Sequence, residues 1–177
     1  VFLRLDDLAQ ILHRFAQVRH DRRVHADVLV DLGWVDVDVD LLRIDGVRLQ
    51  VACDAIVEES LQACVNAVVA QFGGLDIMAN NAGAGRMALD PQITPAAGGA
   101  RVENMASAQW DEQLAQNLRS TFLGTKLAVP HLKARGGGSI VNIASIAGLS
   151  ASPTLPAYAA AKAGVISLSR SCALEYA

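Results

Sequence analysis

The first 70 residues hold only two glycines, Gly33 and Gly46, and the first 50 hold neither lysine nor glutamate. Glycines so sparse do not make the glycine-rich turn through which backbone N–H groups approach a pyrophosphate. Cysteine is also scarce. Cys53, Cys64 and Cys172 are odd in number and form no C-x-x-C pair. With four scattered histidines they suggest neither a disulfide framework nor a zinc site, and buried thiols are the plain reading; no metal is expected. No apolar run reaches the length of about 20 residues that spans a bilayer. The opening, VFLRLDDLAQ, lacks the layout of a secretory signal, so a cytoplasmic location is the expectation. A formal net charge of −3 offers no basic surface for nucleic acid or anionic lipid, and neither is expected as a partner.

What is present is enough for one domain. The chain has 177 residues, 52% of them apolar, which is sufficient to bury a core. Its charged residues change character near position 50. Residues 1 to 50 use seven Arg and nine Asp, whereas residues 51 to 177 use all four charged types. No Pro/Gly/Ser linker marks the change. Residues 1–48 therefore read as an atypical segment joined to a different text, as a shifted or foreign reading frame would produce. Residues 49–177 read as the central part of a single domain. Within the first text, Leu8, Ile11, Leu12 and Phe15 recur at helical spacing behind Asp6 and Asp7. WVDVDVDLL (34–42) alternates as a strand wet on one face, and its aspartates fit a solvated face better than a cation site. There is no internal repeat.

The second text alternates strand and helix. LQVACD (49–54) reads as a short buried strand. In EESLQACVNAVVAQFGG, Leu61, Cys64, Val65, Val68, Val69 and Phe72 form one apolar stripe that Gly73 and Gly74 end. LDIMAN (75–80) is a compact strand, and a long small-residue loop follows it. A helix is predicted from about Ser107, as a possible N-cap, to Lys133, with Pro130 bending or shortening its last turn. GGGSIVNIAS (136–145) is a turn and a strand, and a last helix starts near Pro156. In that helix Val165, Ile166, Leu168 and Leu174 fit a largely buried face. This order is that of a doubly wound α/β fold, a parallel sheet with helices on both faces. Working residues in such sheets lie beyond the carboxyl ends of the strands, where Asn80–Gly83 and Ser145 fall.

Four features stand in order: NNAG (80–83) after a strand, WDEQLAQNLRSTF (110–122) on a helix, SIVNIAS (139–145) ending a strand, and Tyr158-x-x-x-Lys162. Together they resemble the short-chain dehydrogenase/reductase family over roughly residues 49 to 177. The resemblance implies a Rossmann-like fold and an NAD- or NADP-dependent oxidoreductase interconverting a secondary alcohol and a carbonyl. It implies Tyr158 as proton donor or acceptor and Lys162 as its activator and ribose ligand. It implies Ser145 as orienter of the substrate oxygen and Asn117 as holder of a relay water. Asn81, Ala82 and Gly83 would line the cofactor, and Asp54 would meet the adenine ring. A homo-oligomer, dimer or tetramer, is implied too, paired through the helices at 107–133 and 156–176.

The chemistry is reasonable without the family. Hydride transfer at a carbinol carbon needs a nicotinamide, because no side chain carries hydride. The oxygen must exchange a proton in the same event. A free tyrosine titrates near pH ~10, and a nearby ammonium favours its phenolate. Spacing i, i+4 puts Lys162 on the same helix face, one turn on. Ser145 can donate a hydrogen bond to the same oxygen. Each residue also has a bland reading: a core tyrosine, a snorkelling lysine, a strand-ending serine, a surface asparagine, an acidic turn residue.

The chain departs from the family at its start. The family opens on a strand and a turn close to TGxxxGxG, and nothing here matches it. The residue that separates NAD from NADP cannot be placed. The stretch VLVDLGWVDVDVD would repel a pyrophosphate, so the chain as given is expected to bind no cofactor tightly. The family also continues past ALEYA, through strands and a substrate loop. A non-catalytic, oligomerising remnant of the family is accordingly the second reading.

Overall fold

Three short strands run parallel in the order β1 (Asp27–Leu29), β2 (Ile77–Asn80) and β3 (Ser139–Asn142) in the computed structural model. The structure describes residues 27–29, 49, 51–83, 101–152 and 155–177. The helix expected around Leu8–Phe15 and the strand expected at 34–42 lie outside them. So does most of the loop after Gly83.

β2 is the central strand, and all four of its residues are buried, as a strand inside a parallel sheet requires. Its register sets Met78 beside Ile140 and Asn80 beside Asn142. Alternation along the strand therefore gives these four one face, and Ile77 and Ala79 the other. On the first face Met78 shares a buried cluster with Leu61, Val65 and Val68 of helix α1 (Glu58–Phe72). Leu123, Leu127 and Leu132 from the helix that precedes β3 belong to the same cluster. Burying each such side chain contributes about 1.5–3 kcal/mol, so this face is the main core. On the second face Ile77 and Ala79 pack with Val141 and Ile143. All the helices with described contacts to the sheet lie on the first face; the helical layer expected on the second is not among the described residues.

α1 begins with Glu58 and Glu59 at its positive dipole end. It ends at Gly73, whose left-handed φ of 76° lets its N–H reach Val69 O at 2.9 Å. Leu61, Cys64, Val65 and Val68 are buried, and Val69 and Phe72 pack at the core's edge.

Of the strand predicted at 49–54, the described residues 49 and 51–54 have no strand pairing. β2 is already hydrogen-bonded on both sides, by β1 and β3. The segment instead turns into α1. Asp54 N–H donates to Ser60 Oγ at 2.9 Å, and Asp54 Oδ1 accepts from Ile56 N–H at 3.1 Å.

The helix expected at 107–133 is three pieces in one rod: α2 (Ser107–Leu114), a π turn (Ala115–Arg119) and α3 (Ser120–Ala134). Ser107 is its first helical residue rather than its cap. Ala106 holds the cap position, and its N–H donates to Gln109 Oε1 at 3.3 Å. Pro130 does not shorten the rod, which runs on to Ala134 and closes in a turn with Gly136 at φ 80°.

The last helix, α4 (Pro156–Glu175), is packed through its first half, where Ala157, Ala161, Lys162 and Val165 are buried. Leu174 is expected inside but is 86% exposed: Cys172 and Tyr176, two residues to either side, line a groove with Leu132 and Ile140, and the helical turn points Leu174 away from it. Among the described residues no helix is long and apolar enough to cross a membrane. No cluster of His, Cys, Asp and Glu among them is arranged to hold a metal ion.

Candidate functional site

Because the strands are parallel, their carboxyl ends open on one edge of the sheet. Asn81–Gly83 leave β2 there, and Ile143–Ser145 leave β3 there. Each remaining candidate is tied to one of these two strand ends.

Lys162 is tied to the second. Its side chain is 3% exposed, and its ammonium donates to Ile143 O at 2.8 Å. Its Nζ also lies 5.6 Å from the centroid of the Tyr158 ring, one helical turn earlier. Burial pushes the Lys162 ammonium down to about 8.

Ser145 precedes a single 3₁₀ turn (Ile146–Gly148) and caps it, its Oγ accepting from Ala147 N–H at 3.2 Å. Gly148 then lies directly on the α4 backbone. A β-carbon there would stand 2.7 Å from the carbonyl carbon of Lys162 and 2.8 Å from Ala163 N. The glycine thus docks the Ser145 turn against the residue that carries the ammonium.

Asn117 sits in the π turn and is fully buried, its Nδ2 donating to Gln113 O at 3.0 Å. The local sequence favours that turn. Ser120 Oγ donates to Gln116 O at 2.7 Å and Thr121 Oγ1 to Asn117 O at 3.0 Å, taking up carbonyls at the widened turn. Asn117 faces the end of β2: a β-carbon on Gly83 would lie 2.5 Å from Asn117 Oδ1. Gly83 also has φ 134°, so side-chain-bearing residues are excluded twice over. On α4, Gly164 lies against Leu118 in the same way, which closes the π turn onto the Tyr158–Lys162 helix.

Asp54 is exposed, and its backbone and carboxylate are used in the turn that starts α1. The adjoining Ala55 borders a space of about 10 Å³ with Asn80 and Ala82, which sets Asp54 near the end of β2. The structure thus brings Tyr158 to Lys162, the Ser145 turn to Lys162, and Gly83 to Asn117. Asp54 lies alongside without a described contact to them.

Sequence reasoning missed a buried amide chain beneath the site. Asn80 Nδ2 donates to Asn142 Oδ1 at 2.8 Å and to Thr125 Oγ1 at 3.3 Å. Asn142 Nδ2 donates to Ser169 Oγ at 2.9 Å. This chain ties β2, β3, α3 and α4 together under the carboxyl edge. Gly124 is required because the Asn80 amide fills the place its β-carbon would take. The available signal was that both strands, IMAN and SIVN, end on asparagine at matched register.

A family model described as short chain dehydrogenase matches residues 43–177. The chain is 36% identical over 129 residues to 2-(R)-hydroxypropyl-CoM dehydrogenase of Xanthobacter autotrophicus, covering 73% of this chain and 48% of that protein. It is 42% identical over 110 residues to D-beta-hydroxybutyrate dehydrogenase of Rhizobium meliloti, covering 62% of this chain and 38% of that one. The crystal structure of levodione reductase superposes with a TM-score of 0.61 at 31% identity, over 71% of this chain and 44% of that chain. The chain spans less than half the length of each.

Proposed function

This chain belongs to the short-chain dehydrogenase family, and from that premise we propose that Ser145, Tyr158, Lys162 and Asn117 serve a nicotinamide-dependent interconversion of a secondary alcohol and a carbonyl compound. The observation that carries the reading is the buried Lys162 ammonium beside the Tyr158 ring at the carboxyl edge of a parallel sheet. An ammonium is expensive to bury, and burial has already displaced its titration. A position kept at that cost is the mark of a working site.

The residues present fit the ribose end of a nicotinamide nucleotide. Lys162 has three N–H donors and spends one on Ile143 O, which leaves donors for sugar hydroxyls. The missing β-carbon of Gly83 is the space that Asn117 Oδ1 fills, so the end of β2 carries the Asn117 amide against its backbone. Asn81 and Ala82 would line the cofactor there, and Asp54 would meet the adenine ring. When bound, NAD or NADP supplies the hydride acceptor or donor that no side chain can. Tyr158 exchanges a proton with the substrate oxygen. Ser145 donates a hydrogen bond to the same oxygen and holds it in place. Lys162 holds the ribose and sets positive charge beside the phenol. Asn117 positions a water that carries the proton onward.

The scarcity of glycine in the first 70 residues favours a second reading, a family member that oligomerises without binding cofactor. Calorimetric titration with NADH and with NADPH separates the two. The catalytic reading predicts measurable, weak binding to this chain, weakened further by Lys162→Ala because ribose donors are lost. Heat signals that are absent for both nucleotides, or unchanged by Lys162→Ala, contradict it.

Trp110 of α2 and Phe122 of α3 are large, half-exposed and on the rod through which subunit pairing is proposed. Sedimentation velocity at micromolar concentration is expected to show a dimer or larger species. A stable monomer removes the pairing.

A further inference from the structure

One stripe of the rod α2–α3 follows the end of β2. Gly124 lies against Asn80, the last residue of that strand, and two turns earlier Asn117 lies against Gly83, just past its end. Gln113, one turn earlier again, continues the stripe beyond the carboxyl edge, on the side where the candidate site opens. The Asn117 amide leans toward it, Nδ2 donating to Gln113 O at 3.0 Å. Gln113 is 3% exposed, yet among the described residues neither its Oε1 nor its Nε2 has a hydrogen-bond partner. Its polar neighbours differ: Ser120 and Thr121 each donate to a carbonyl of the rod, and Asn80 donates twice. A buried amide open at both ends is costly, and native interiors pair such groups with protein or with internal water. So deep a group is out of reach of a nucleotide or a substrate. Water has the right size and both capacities, accepting from Nε2–H and donating to Oε1. The π turn that follows Gln113 widens the rod beside it.

We propose that Gln113 is a positioning residue for proton transfer: its buried amide holds an internal water one turn outward from Asn117, which extends the relay placed at Asn117 toward solvent. The water site rests on Gln113 itself, and its part in proton transfer rests on the oxidoreductase reading.

When an alcohol is oxidised, the proton that Tyr158 takes from the substrate oxygen must leave before the next turnover. The water at Asn117 accepts it and gives one of its own protons to the water at Gln113, which gives one to bulk solvent. Each water ends as water, and no proton is gained or lost along the path. The Gln113 amide does not titrate. Its Nε2 fixes the oxygen of the water by donating to it, and its Oε1 engages one O–H, which leaves the other O–H to pass a proton on. Reduction of a carbonyl uses the same path inward.

The test begins with water-selected NOE and ROE spectra of the whole isotope-labelled chain, read at its side-chain NH2 groups. The expected result is a cross-peak from a long-lived water to the Gln113 Nε2 protons. Asn80 is the dry reference, because its Nδ2 already donates to Asn142 Oδ1 and Thr125 Oγ1. A Gln113 NH2 group without a water cross-peak would overturn the proposal, and this arm needs neither cofactor nor turnover. The second arm measures oxidation of a secondary alcohol by Gln113→Leu and by the closer mimic Gln113→Met. Both are expected to lower turnover about tenfold and to raise the solvent deuterium isotope effect, with nucleotide affinity kept within about twofold. Turnover and isotope effect unchanged in both variants would overturn the relay role. A wild-type chain that shows the water but oxidises no alcohol would overturn the oxidoreductase reading, and the relay role with it.

Discussion

Tyr158→Phe is expected to reduce turnover of a secondary alcohol at least about a hundredfold while changing cofactor affinity little, within the 10²–10⁴ range that acid–base groups contribute. The reason is positional. Tyr158 lies over the ammonium of Lys162, whose own hydrogen bond ends at the carboxyl end of β3. Its phenol oxygen is the group that the proposed mechanism needs for proton exchange, and phenylalanine keeps the ring but not that oxygen. The ring's packing on α4 is retained, so the fold should survive. Lys162→Ala, by contrast, removes both the ribose donors and the charge beside the ring, and it should damage affinity and turnover together. Steady-state kinetics and nucleotide titration on the same preparations distinguish the two patterns. A Tyr158→Phe protein that keeps more than about a tenth of wild-type turnover removes Tyr158 from the proton path.

The second large effect is on stability rather than rate. Burial holds Lys162 down to about 8 in the folded chain, against 10.5 for an ordinary lysine. Between those pH values the unfolded chain carries one more proton than the folded chain. Stability must therefore rise with pH across that window. Below pH 8 the folded state bears the full cost of a buried ammonium, and that cost is relieved as the group loses its proton. A displacement of this size corresponds to about 3 kcal/mol. Lys162→Met has no such proton to lose. The difference in unfolding free energy between wild type and Lys162→Met is expected to change by about 3 kcal/mol from pH 7.5 to 10.5, as measured by urea denaturation. The comparison cancels Cys53, Cys64 and the other titrating groups shared by both proteins. A change below about 1 kcal/mol would mean that the ammonium is far better solvated than its burial implies.

Elements whose signals are local were legible in the sequence. The stripe from Leu61 to Phe72 and the two glycines after it define α1 within two residues. Pro156, acceptable in a first helical turn, opens α4 where it was expected. LDIMAN and GGGSIVNIAS contain the strands IMAN and SIVN, which are short, mostly apolar and bounded by turn residues. The failures have a common origin in partners distant in sequence. LQVACD has strand composition, but β2 has no free side for it, and no local pattern reports that. Leu174 continues an apolar pattern on a face of α4 that is exposed, while Cys172 and Tyr176 beside it face the groove against Leu132 and Ile140.

The site divides in the same way. Tyr158 and Lys162 are legible as a pair because one helical turn fixes their relation. The π turn at Asn117 depends on the hydroxyls of Ser120 and Thr121 turning back to carbonyls, which a helical pattern does not predict. Gly148 reads as an ordinary loop glycine until α4 is laid across it. The Asn80–Asn142 amide pair spans 62 residues and becomes visible only with the strand register.

The most direct test of the oxidoreductase reading follows the hydride. The chain is incubated with NAD or NADP in oxidised form and a panel of secondary alcohols carrying deuterium at the carbinol carbon, with protein in molar excess to compensate for weak nucleotide binding. Mass spectrometry of the nicotinamide and of the carbonyl product reads the outcome. The account predicts a reduced nucleotide bearing a single deuterium, a matching ketone, and loss of both when Tyr158→Phe replaces the wild type. Folded protein that binds nucleotide yet yields no deuterated nucleotide from any alcohol of the panel, or yields it equally with Tyr158→Phe, would contradict it.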